Sequence, residues 1–160
     1  MKRTFFREYR GLQDPLEDQK PAEQWNIGVT GLGRSVGTTF VASSLAFYLR
    51  SKGKSLTFCQ CLHPEPGRPL LYDEAAMDQR FANRKFDRFY SLIAEGEPVR
   101  GCENLEQEIR WILPTPEDRD EEIRLSGQQR ARLLASARGD VCVFDLDTGR
   151  DWSCCWRTWM

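Results

Sequence analysis

Two periods of hydrophobic and polar positions divide this chain, and the switches between them lay out its elements. From Trp25 to Thr30 (WNIGVT) large and β-branched residues alternate and run straight into glycines, which predicts a buried strand. Gly31 to Gly37 is then a tight loop. Over Thr38–Ser51 (TTFVASSLAFYLRS) apolar residues recur at 41, 45, 48 and 49, a helical spacing, and Gly53 stops the helix as a C-cap. Leu56 to Cys61 follows as a second strand. Strand, glycine loop, helix and strand make a βαβ unit, for which a right-handed crossover and a parallel sheet are expected.

Downstream the periods are less regular. His63 to Pro69 (HPEPGRP) is a loop by its proline and glycine content, and Asp73 to Arg84 fits neither period cleanly. Phe86 to Glu95 predicts a helix with Phe86, Phe89, Tyr90 and Ile93 inward. Ile109 to Leu113 is a third strand, stopped by Pro114. Pro116 to Arg138 reads as one long helix starting near Thr115, with Ile123, Leu133 and Leu134 inward and Gly127 as its weak point. Val141 to Leu146 (VCVFDL) is a fourth strand, apolar on both faces, as a parallel strand covered by helices on both sides would be. The fold class expected is α/β, a three-layer sandwich around a mostly parallel sheet. Residues 1–24, with Pro15 and Pro21, form a polar extension. Residues 25–150 form the domain, and 151–160 a tail rich in tryptophan and cysteine.

Composition narrows the setting. A chain of 160 residues is long enough for one domain with a real core, and 40% apolar with 29% charged residues is an ordinary globular balance. The formal net charge of −1 gives no bulk attraction to nucleic acid or to membranes, so no specific nucleic acid is indicated and membrane association is not expected. The basic N-terminal stretch has no apolar core of a secretory signal, and nothing approaches the ~18 apolar residues of a membrane span. A cytoplasmic setting is the expectation. The six cysteines include no CxxC pair, so reduced, buried thiols are expected; Cys59 and Cys61 fall on one face of their strand. His63, the one histidine, is either solvated in its loop or touches a ligand at the binding edge of the sheet.

The chemistry concentrates in Gly31-Leu32-Gly33-Arg34-Ser35-Val36-Gly37-Thr38-Thr39. The phosphate-binding pattern GxxxxGK[ST] is matched in spacing by Gly31 and Gly37, with Thr38 where lysine belongs and Thr39 at the hydroxyl position. Glycines there let the backbone turn its N–H groups toward a phosphate, and the positive end of the following helix adds to the attraction. The competing reading is a strand-to-helix turn that uses glycines for geometry alone.

The segment IGVTGLGRSVGTTFVASSLAFYLRSKGKSLTF resembles the start of the ParA/MinD partition ATPases, where KGGVGKTT fills the loop. The correspondence holds at Val36, Gly37, Thr39, Leu45, Ala46, Leu49, Gly53 and Lys54. It implies a P-loop NTPase-like fold that binds ATP and Mg²⁺. Gly31, Gly33, Arg34, Ser35, Val36, Gly37, Thr38 and Thr39 would lie around the nucleotide. Asp145, in the segment Asp145-Leu-Asp147-Thr-Gly149 that resembles the family's D-x-x-x-G switch, would join Thr39 at the metal. The alternative for Asp145 and Asp147 is a pair of polar residues closing a strand.

The departures fall on the functional positions. Gly33 stands at the family's signature lysine, Arg34 and Ser35 replace two glycines, and Thr38 replaces the P-loop lysine. Cys61-Leu-His63-Pro64 stands where the family carries D-x-D-P. The resemblance therefore implies weak ATP binding with little or no hydrolysis and no catalytic residue. The implied role is regulatory or positional in a bacterial cytoplasm, as degenerate members of that family have in pilus placement. A pseudoenzyme scaffold that contacts proteins and binds no nucleotide is the alternative. The family's domain continues for further strands, so a shortened sheet with an unpaired edge is expected, and with it a homodimer or an unknown protein partner. Trp152, Trp156 and Trp159 share one helical stripe, suited to an interface or to covering that edge.

Overall fold

β1 (Trp25–Thr30), β2 (Leu56–Cys61), β3 (Leu105–Glu106), β4 (Ile109–Ile112) and β5 (Val141–Leu146) join into one sheet in the order β1-β5-β2-β4-β3. This is a computed structural model, and it describes residues 24–33, 36–61, 67 and 69–146. Residues 1–23 of the N-terminal extension, Arg34, Ser35, His63, Asp147, Gly149 and the tryptophan-rich tail lie outside the described residues. β1, β5, β2 and β4 run parallel to one another, and β3 is antiparallel to β4. The fold is mixed α/β with a mostly parallel sheet.

The strands starting at Trp25, Leu56 and Val141 are flush, because Val141 pairs with both Trp25 and Leu56. They also end flush, with Leu146 beside Thr30 and Cys61. The loop after β1 therefore opens at the same edge as the last residues of β5 and β2.

Two buried clusters cover the two faces of this sheet. On one face, α1 (Thr38–Ser51) packs with Leu56, Phe58, Ile109, Trp111, Val141 and Val143. α2 (Leu71–Glu74) and α3 (Met77–Arg80) close that side through Leu71 and Met77. On the other, α4 (Phe89–Ala94) and α6 (Gly127–Ala135) pack on Cys59, Cys61, Cys142, Phe144 and Leu146. The period-2 alternation of β5 thus splits evenly: Val141 and Val143 toward α1, Cys142 and Phe144 away from it. The sulfurs of Cys59 and Cys61 lie 3.7 Å apart on one face of β2, and Cys142 Sγ accepts from Gln24 Nε2 at 2.7 Å.

Several expectations are corrected. α1 meets the sheet through Ala42 and Ala46, its two buried residues, while Leu45 and Leu49 are half-buried and Val41 and Tyr48 stay exposed. Small alanines let the helix approach the sheet closely, and that rotates part of the larger apolar stripe outward. The long helix from 116 to 138 is two helices, α5 (Pro116–Asp120) and α6, separated by a backbone reversal in which Glu122 has φ 49°. Each has its own capping box, Thr115 with Asp118 and Ser126 with Gln129, so both helix starts have their amides satisfied. Phe86 lies before α4 rather than in it, its ring edge-on to Tyr72 and Phe81 at 5.0 and 5.1 Å. The indefinite stretch 73–84 holds the end of α2 and all of α3, parted by Ala76 at φ 49°. β3 is an additional strand: with two residues it carries no readable period.

Candidate functional site

β1 delivers the chain into the glycine loop at the carboxyl edge of the sheet, and α1 begins on its far side. A Cβ placed on Gly31 would overlap Thr38 Oγ1 and Val36 Cγ2, so the loop folds back until the first turn of α1 rests on Gly31. Any side chain there would force the loop open. Gly37 is the N-cap of α1 at φ 82° and ψ 20°, in the left-handed region that favours glycine, and a Cβ on it would meet nothing within 4 Å. The first helical bond runs from Val41 N–H to Gly37 O at 3.0 Å. Gly37 supplies no side-chain cap, and the first turn of α1 has no acidic residue. The positive end of this 14-residue helix thus has no carboxylate in its own first turn to neutralise it.

Beneath that first turn, Thr39 Oγ1 donates to Asp145 Oδ2 at 2.7 Å. Asp145 is the next-to-last residue of β5, 1% exposed, and stands in register between Val29 of β1 and Gln60 of β2. Alternation along β5 points it to the α1 face with Val141 and Val143. Gln60, also 1% exposed, brings its Nε2 to 3.5 Å from the same carboxylate oxygen. The Gln60 backbone carbonyl accepts the phenol of Tyr90 at 2.5 Å from the opposite side of the sheet. Burial pushes the Tyr90 phenol well up, so it stays protonated and keeps donating.

Of the loop residues singled out by sequence, Gly31 and Gly33 follow β1, Val36 and Gly37 lead into α1, Thr38 and Thr39 open that helix, and Asp145 joins Thr39. Arg34 and Ser35 lie outside the described residues. Cys61, at the family's first aspartate, is buried in the cluster beneath α4 and α6 and does not join Thr39. The β2 residue that reaches the site is Gln60, which sequence reasoning passed over. Its signal was a lone amide in an otherwise apolar strand end, FCQC.

Among the described residues no three His, Cys, Asp or Glu side chains gather as a metal cluster. The oxygens at the site are one hydroxyl, one carboxylate and one amide carbonyl, all hard donors. Such a set suits Mg²⁺, which keeps most of its waters and takes few protein ligands. No helix among the described residues is long and apolar enough to cross a membrane. Comparison of the chain with protein-family models, with curated proteins and with solved structures gives no match.

Proposed function

We propose that this chain is a degenerate P-loop protein of the ParA/MinD type that binds ATP with Mg²⁺ weakly and hydrolyses it little or not at all. The observation that carries the reading is the 2.7 Å hydrogen bond from Thr39 to Asp145. It joins the hydroxyl position of a phosphate-binding pattern to an acidic residue at the end of the adjacent parallel strand. A turn that used glycines for geometry alone would have no need of this pair.

In that reading the amides at the start of α1 bind phosphate oxygens, and Gly37 keeps the approach clear. Thr39 donates its proton to Asp145, which would leave its oxygen lone pairs for a divalent cation; the cation would neutralise phosphate charge. Thr38 supplies no charge. Losing one charge-assisted phosphate contact costs about 1.5–3 kcal/mol, roughly 10- to 150-fold in affinity. Hydrolysis suffers more, because phosphoryl transfer depends on placed positive charge and an oriented water. A nucleotide-gated regulatory or positioning role, exerted on a protein partner, follows from binding without turnover.

A second reading, a scaffold that binds proteins and no nucleotide, has its own support. α1 exposes Phe40, Val41, Phe47 and Tyr48, and Leu32 projects fully from the loop. Thermal unfolding with and without Mg²⁺-ATP separates the two. Ligand at about 100 times its Kd adds ~2.7 kcal/mol, so saturating nucleotide should raise the Tm of the chain by several degrees. Thr39→Val, which keeps the shape and removes the donor, should lower the basal stability by about 1–2 kcal/mol and abolish the response. No response in the unaltered chain at millimolar nucleotide rules the first reading out in favour of the second.

A further inference from the structure

We infer that Gln60 belongs to the cation site, steadying the Asp145 carboxylate with its amide nitrogen and turning its carbonyl oxygen to the hydration shell of a divalent cation. This rests on reading Thr39 and Asp145 as a cation site. Gln60 is a polar side chain, 1% exposed, in a strand every residue of which is buried. Its Oε1 has no hydrogen-bond partner, although an amide carbonyl shut away from water ordinarily finds one.

The orientation of the amide follows from chemistry. One end lies 3.5 Å from Asp145 Oδ2, and only the NH₂ end can face a carboxylate without repulsion. The carbonyl is therefore the end left over. It sits beside an acidic group that already accepts from Thr39, under the first turn of α1, at the flush carboxyl edge of three parallel strands. A cation's water is a strong donor, and a lone carbonyl next to a carboxylate is the acceptor such a water takes. The thiols of Cys59 and Cys61 lie on the other face of β2, so the set stays all-oxygen and favours hard cations over soft ones. An apolar residue would fill this strand position at lower cost, which is the physical reason to assign the amide a task.

The test uses the full ¹⁵N-labelled chain and free Mn²⁺, read by paramagnetic broadening. The Gly37 and Thr39 backbone amides and the Gln60 side-chain NH₂ should broaden first and recover on adding excess Mg²⁺. Gln60→Met, which keeps the volume, removes the buried unpaired carbonyl and the long 3.5 Å amide contact to Asp145 together, so the Tm should change by no more than a few degrees. The same variant should raise the Mn²⁺ concentration for half-broadening at Thr39 by about tenfold. Gln60→Glu should lower that concentration by a similar factor; if it does not fold, the methionine variant decides alone. Unchanged broadening at Thr39 in Gln60→Met overturns the role of Gln60 while leaving the Thr39–Asp145 site standing. No selective broadening at Thr39 in the unaltered chain removes the site and this inference together.

Discussion

Thr39 and Gly37 illustrate how much a single position can declare in advance. A glycine at the end of a loop, followed by hydroxyl residues that open an amphipathic helix, fixes where the helix begins and which backbone must turn left-handed. The structure puts Gly37 at φ 82° and starts α1 at Thr38. Gln60 was not legible in the same way, because its meaning depends on Asp145, brought beside it only by strand pairing. A second residue-scale feature makes a pH prediction. Asp140 accepts from Ser55 N–H at 3.0 Å while its own N–H donates to the Ser55 hydroxyl at 2.9 Å, and hydrogen bonding to Ser55 holds its carboxyl below the usual range. The contact joins the turn before β5 to the start of β2. Because the folded value is depressed, its contribution is complete above the ordinary carboxylate range and is lost as pH falls through the depressed value. Asp140→Asn should therefore flatten the acid limb of a stability–pH curve measured by urea unfolding, with little change in its slope near neutrality. An acid limb as steep as that of the unaltered chain would contradict this.

At the scale of elements, β1, α1, β2 and β5 lie where periodicity put them, since each carries one clear period and a terminating signal. The failures have local causes. The break between α5 and α6 turns on Ser126-x-x-Gln129, a capping box inside an apparently continuous helical pattern, and the pull of the apolar spacing hid it. The hairpin between β3 and β4 turns on Gln107 and Glu108, with φ of 51° and 59°. Two-residue hairpins with positive φ at both positions usually announce themselves by asparagine and glycine, and neither is present. That turn stores backbone strain. Gln107→Gly should raise stability by about 1 kcal/mol, measured by chemical denaturation, since glycine adopts this conformation without the Cβ clash. A loss of stability would mean that the Gln107 side chain makes a contact worth more than the strain.

At the scale of the whole molecule, among the described residues the sheet is covered on both faces and β1 is an edge strand, paired with β5. Trp25 on that strand is 68% exposed. Alternation places Trp25 on the face of Ile27 and Val29, which pack toward α1. The expectation that the tryptophans of the tail cover that edge falls outside the described residues. The layered arrangement was legible from the order of periods, whereas the three-dimensional meeting of loop, Asp145 and Gln60 required the register of the strands. The nucleotide reading stands on that meeting, and its missing component is the charge that Thr38 does not supply.

The most direct test restores that charge. In calorimetric titration with Mg²⁺-ATP, Thr38→Lys should bind roughly 10- to 150-fold more tightly than the unaltered chain, because lysine regains a charge-assisted phosphate contact in a loop already shaped for it. Equal affinity in the two proteins, or heat of binding in neither, would contradict the account at its base.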